Sequence, residues 1–142
     1  MNWIIRSIRR RAIHYIRRTV TRRVIRRVTL KGRDKEYRAY KEKARELAVV
    51  RLAHFNVVYG FTYGRIAIRN TKSRWGSCSK KGNLNFSYKI ALIAPELADY
   101  VIVHELCHIG QFNHSRAFWE LVERTVPDWR DRRKRMHASM VA

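Results

Sequence analysis

Between Met1 and Arg33 the chain has no aspartate and no glutamate, against 12 lysines and arginines. Twelve cations without an intervening acid repel one another, which makes a merely solvated helix face costly and favours a negatively charged partner. Cysteine is scarce too. Cys78 and Cys107 form neither a disulfide framework nor a CxxC metal or redox pair, so a reducing, cytoplasmic setting is expected. Long apolar runs are also missing. The longest uncharged stretch, Leu52 to Gly64, has 13 residues, short of the roughly 20 that a membrane-spanning helix needs. Arginines interrupt the basic start where a secretory leader would carry its apolar segment. There is no internal repeat and, outside the arginine-rich start, no low-complexity tract.

What remains is the composition of a folded domain. A hydrophobic share of 46% in 142 residues is enough for one core with a short appendage. The formal charge of +21 is uneven: after residue 33 there are 20 basic and 11 acidic residues, a net of 20 − 11 = +9. Residues 1–33 therefore read as a basic appendage and residues 34–142 as the domain.

In the appendage Ile5, Ile8, Ala12, Ile16, Val20, Val24 and Val28 recur at three and four, the stripe of an amphipathic helix from Trp3 to Val28. Its back carries Arg9, Arg10, Arg11, Arg17, Arg18, Arg22, Arg23, Arg26 and Arg27. Gly32 marks its expected end. A second helix is expected from Asp34, as N-cap, to about Val58, with Tyr37, Tyr40, Ala44, Leu47, Ala48, Leu52 and Phe55 on one face. The alternation in RIAIRN (Arg65 to Asn70) and NLNFS (Asn83 to Ser87) reads as strands. SRWGSC reads as a strand returning through the KKG turn. Pro95 opens a helix apolar on nearly every side, hence buried. Ser115 can cap a helix from Arg116 to Val126, and Pro127 opens a last one that ends in RDRRKR.

The chemistry is concentrated in VIVHELCHIGQFNHSRAFW, Val101 to Trp119. His104 and His108 are four apart, so on a helix both rings leave the same face and can share one metal ion. Glu105 is then placed to act on a metal-bound water. Shuffling six histidines and seven glutamates through this length gives an HExxH on the order of once in a hundred trials, so the motif alone does not decide the matter. His114 lies beyond the Gly110 turn, where the chain can fold back and offer a third ring. Three protein ligands with a fourth position open is the pattern of a catalytic zinc. The longer metzincin string HExxHxxGxxH fits imperfectly, because Gln111 stands where that string has glycine. The competing reading, satisfied core histidines, leaves two buried imidazoles and a buried glutamate in need of partners.

RWGSCS, the asparagine of LNF, the proline followed by DYVIVHELCH, then NHSRAFW and a later PDW stand in this order over about residues 65–135. That set resembles the YgjP-like metallopeptidase-domain family, related to the SprT-like and WLM zinc peptidases. The resemblance implies an α+β fold, a minimal zincin-like domain. A small mixed three-stranded sheet and a backing helix would flank the HExxH active-site helix. It further implies one zinc ion per chain on His104, His108 and His114, with Glu105 as general base in peptide-bond hydrolysis by a zinc-activated water. The basic first 33 residues are expected to lie outside it.

Around that centre Tyr88, Asn113 and Arg116 are the candidates to stabilise an oxyanion, and Trp75 and Asn85 are candidates for substrate contact or for plain packing. Phe118 and Trp119 are expected to pack the third-ligand helix on the core. Cys78 is expected to be a small core or loop residue, with an inhibitory thiolate as the alternative. Zincin substrates lie along a sheet edge, so NLNFS or RWGSC is expected to supply one. For the arginine helix, nucleic acid is the favoured partner, through counterion release. An anionic membrane surface and an organellar targeting peptide are the alternatives. Three functions compete: a zinc peptidase acting on peptide or protein substrates, including nucleic-acid-associated ones; a metal-dependent hydrolase of a nucleotide or other phosphorylated substrate; and a nucleic-acid-binding module with a non-catalytic zinc.

Overall fold

The computed structural model of the chain describes residues 32–141, so the proposed helix from Trp3 to Val28 and its arginines lie outside the described residues. The chain divides into two units, Met1–Glu36 and Tyr37–Ala142. Of the first unit, residues 32–36 are helical. Gly32 and Asp34, read from the sequence as a helix end and the next helix's cap, are thus helical residues. A lone glycine costs a helix only about 1 kcal/mol, too little to end one by itself.

In the second unit helix α1, residues 37–59, buries Ala44, Ala48, Leu52 and Phe55, the expected stripe. It ends where Gly60 takes φ +65° and its N–H donates to the Asn56 carbonyl at 2.7 Å, a left-handed cap that glycine adopts without steric penalty. The Asn56 amide clasps the next residue, donating to the Phe61 carbonyl and accepting from the Phe61 N–H.

Strands β1 (Ile66–Arg69), β2 (Gly76–Cys78) and β3 (Leu84–Ser87) form a mixed sheet in the order β1-β3-β2. β1 runs parallel to β3, with Ile68 beside Phe86, and β2 runs antiparallel to β3, with Ser77 beside Asn85. NLNFS is therefore the central strand and cannot be the edge that a peptide joins; RWGSC supplies the outer strand β2. Period-two alternation sends Leu84 and Phe86 into the core, while Asn85 faces away and meets the Ser77 hydroxyl at 3.3 Å.

A 3₁₀ turn (Tyr88–Ala91) leads into α2 (Pro95–Cys107). Nine of the 13 residues of α2 are buried, as its all-round apolar sequence predicts. Strand β2 packs across it, and α3 (Arg116–Glu123) and α4 (Trp129–Val141) lie against it. Arg51 of α1 holds Asp99 of α2 through two bonds of 2.6 and 2.7 Å, a forked charge-assisted pair that fixes the rotation of α2. Together these elements are the α+β sheet-and-helix arrangement expected from the sequence. No described helix is long and apolar enough to cross a membrane.

Candidate metal centre and active site

His104 occupies the last turn of α2, and His108 is the C-cap. The chain then reverses before Ser115, the N-cap of α3, so His114 comes back over the end of α2. The Nε2 atoms of His108 and His114 lie 3.2 and 3.0 Å from that of His104. Nitrogens bound tetrahedrally at 2.0–2.1 Å to one zinc ion sit about 3.3 Å apart, so the three rings already have the spacing of a shared ligand set. Among the described residues no other group of histidine, cysteine or acidic side chains can hold a metal in this way. Phe118, fully buried on α3, forms the floor, with the His108 ring stacked on it at 4.6 Å.

The protonation states suit a metal. Burial first, then the charges of His108, His114 and Arg133, push His104 down to about 3. Burial followed by the charges of His108 and Arg133 also lowers His114. Neutral imidazole is the form that binds metal. His108 donates its Nδ1–H to the Gln111 carbonyl at 3.1 Å, which leaves the Nε2 lone pair aimed at the cluster.

Glu105 turns to the other side of the helix end, under β2, and is buried to 7% exposure. Gly76 makes room for it. A Cβ at that position would stand 2.6 Å from Glu105 Cγ and 2.9 Å from Oε1, so any side chain there would displace the carboxylate. Burial alone pushes the Glu105 carboxyl up to about 8. Beside it opens a cavity of about 580 Å³, whose walls include Trp75, Tyr100, His104, His114, Trp119 and Arg133.

Other side chains singled out from the sequence are placed elsewhere. Tyr88 is fully buried, edge-on to Tyr37; Asn113 and Arg116 are exposed outside the cavity. Arg116 is paired with Glu120 at 2.8 Å. Asn85 lies on the opposite sheet face and lines a separate cleft of about 280 Å³. Trp75 does line the main cavity. Cys78 is half-buried and Cys107 buried, and neither belongs to the histidine cluster. Sequence reasoning missed Tyr100, Arg74, Arg133 and His137, all cavity residues. Tyr100 was within reach, being one helical turn before His104 on the same face. Arg133 and His137 carry no such signal, because the packing of α4 on α2 brings them in.

The YgjP-like metallopeptidase domain matches residues 2–139. The chain belongs to the YgjP-like metallopeptidase family. The family match starts at residue 2, so the arginine-rich segment falls inside it, contrary to the expectation from the motifs, all of which lie downstream. Two solved structures share the fold. The metallopeptidase zymogen of Pyrococcus abyssi abylysin is 23% identical, with a TM-score of 0.60 over 65% of this chain and 93% of that one. The corresponding zymogen of Methanocaldococcus jannaschii jannalysin is 20% identical, with a TM-score of 0.54 over 68% and 96% of the two chains. No curated protein matches the chain. Membership in a metallopeptidase family implies a metal, and the histidine cluster of this YgjP-like domain has donors that fit one.

The buried carboxyl has a measurable consequence for the metal-free protein. With Glu105 raised to about 8 from an ordinary 4.5, the folded state keeps a proton that the unfolded chain gives up, so stability falls as pH rises through that window. Glu105→Gln removes the titration. The metal-free variant should match wild type near pH 4 and exceed it by about 4 to 5 kcal/mol near pH 8 in urea unfolding. A gap that stays constant with pH would mean that the carboxyl is solvated.

Proposed function

We propose that this chain is a zinc peptidase that hydrolyses peptide bonds, with one zinc ion held by His104, His108 and His114 and with Glu105 as general base. The observation that carries the reading is the convergence of three ring nitrogens, those of His108 and His114 lying 3.2 and 3.0 Å from that of His104, beside a buried carboxyl group and an open cavity. A zinc ion there supplies a Lewis acid for the scissile carbonyl and makes water a nucleophile near neutral pH. A cation next to Glu105 favours its ionised form, and the carboxylate then takes the proton of the attacking water and passes it to the leaving amine. Tyr100, in the cavity wall one turn before His104, is the phenol placed to donate to the oxyanion, in preference to Tyr88. A substrate strand alongside β2, which among the described residues pairs only with β3, would carry its scissile bond past Glu105.

The test is a mixture of unstructured peptides incubated with the zinc-loaded protein and, in parallel, with its Glu105→Gln variant, the products being read by mass spectrometry. Cleavage by wild type alone supports the reading. Hydrolysis of nucleotides with no peptide cleaved would replace it with the phosphorylated-substrate alternative.

For residues 1–33 we propose contact with nucleic acid, supported by 12 cations without an acid. The physiological substrates would then include proteins that sit on nucleic acid. Replacing Arg9, Arg10, Arg11, Arg17, Arg18, Arg22, Arg23, Arg26 and Arg27 with Gln should make the log–log salt dependence of duplex DNA binding shallower by about 4 to 8. An unchanged slope, with binding to anionic lipid vesicles lost instead, would assign the segment to a membrane surface.

A further inference from the structure

The cavity beside the histidines has a charge pattern that metal binding and general-base chemistry leave unused. Among the described residues its lining includes Arg74, Arg133 and His137, against Glu105 as the only acid. Basic residues are common in this chain, so their mere presence decides nothing. Their pairing does. Of the four arginines of α4, Arg130 is 3.6 Å from Glu123, Arg132 is 2.9 Å from Asp128, and Arg135 is 2.7 Å from Glu96. Arg133, the one that turns to the cavity, makes no ion pair with any described carboxylate, and neither does Arg74 on the facing segment.

Arg133 is nevertheless held in place. Its guanidinium lies 5.2 Å over the Trp119 ring. Trp119 is stacked on Trp129 at 4.0 Å and 13° and faces the His114 ring at 5.7 Å. An arginine laid on an aromatic face keeps its edge donors free while losing conformational freedom, which is a preorganised arrangement for a carboxylate. Arg74 directly precedes Trp75 and Gly76, the wall over Glu105. The two cations thus lie along a cleft that runs from the strand β2 side to the α4 side, past the metal centre.

We propose that Arg133, with Arg74, forms a carboxylate-binding subsite that selects peptide substrates with an acidic group next to the scissile bond, either an Asp or Glu side chain or a free C-terminus. The assignment rests on the peptidase reading above and names the substrate class of that same cavity. Both arginines are exposed, so each bond competes with water, and the expected discrimination is about tenfold rather than a thousandfold.

The test compares peptides identical except for Glu, Gln, phosphoserine or Lys at each position flanking the cleaved bond, and the same peptide as free acid or C-terminal amide. The ratio of kcat/KM for Glu over Gln is expected to be about ten at one flanking position in wild type. It should approach one in Arg133→Met, which keeps the apolar cover on Trp119, recover in part in Arg133→Lys, and invert toward Lys in Arg133→Glu. A ratio that appears only between free acid and amide assigns the subsite to the chain terminus. Arg74→Met should reduce the same ratio by a smaller factor. Affinities of the same peptides for zinc-loaded Glu105→Gln, followed by fluorescence anisotropy, read the subsite without turnover. Absence of cleavage with the Glu over Gln affinity ratio intact counts against the peptidase reading and leaves the subsite standing. Equal affinities for Glu and Gln peptides, a preference confined to phosphoserine, or a Glu preference unchanged in both arginine variants would overturn it.

Discussion

Glu105→Gln is expected to lower kcat/KM for peptide hydrolysis by about a thousandfold while the protein still binds one metal ion per chain. A positioned general base contributes about 10²- to 10⁴-fold, and an amide of the same shape cannot take the proton. The substitution is clean in structural terms. Glutamine occupies the same space under Gly76, where no larger neighbour could move in, and none of the three ring nitrogens of the cluster is touched. A neutral amide is no harder to bury than the carboxyl it replaces, and an unfolding curve recorded on the same sample separates lost turnover from lost fold. Metal content by atomic absorption and peptide turnover are measured on the same sample. Turnover within tenfold of wild type would remove Glu105 from the mechanism.

The second large effect concerns His104→Ala and His114→Ala, each expected to weaken zinc binding by about a thousandfold or more and to abolish turnover. His104 is the centre of the cluster, its Nε2 within 3.2 Å of both neighbours. His114 completes the set from outside the helix. The acids that could replace it are engaged elsewhere, Glu120 with Arg116 and Glu123 with Arg130. His137→Ala is the control. His137 lines the same cavity but does not belong to the ligand group, so that variant should retain its metal. Saturating zinc should raise the melting temperature of wild type, and the shift should vanish in both ligand variants, because only binding to the native state stabilises it. Undiminished metal content in His114→Ala would transfer the third position to another residue.

Local periodicity explains why the heart of the site was readable. His104 and His108 share a helix face because 3.6 residues make a turn, and that needs nothing beyond the helix itself. The central strand and its return were legible from alternation and the KKG turn. The edge strand was not: strand order depends on which chain segment pairs with which, and β1 and β3 are parallel neighbours despite the strand between them in sequence. Asn85 lies within β3 and Tyr88 directly follows it; Asn85 was a candidate for substrate contact and Tyr88, by nearness along the chain, for the oxyanion. Alternation points Asn85 to the far face, and the turn after β3 drops Tyr88 into the core.

By itself the sequence determined the α+β elements, the histidine and glutamate constellation and the family, because each depends on residue types at short, regular spacings. Tertiary structure alone decided three further matters: that Gly76 lies on Glu105, that burial raises the Glu105 carboxyl to about 8, and that Arg74 and Arg133 border one cavity. These depend on the packing of β2 and α4 against α2, contacts between segments distant in the chain that no local pattern encodes.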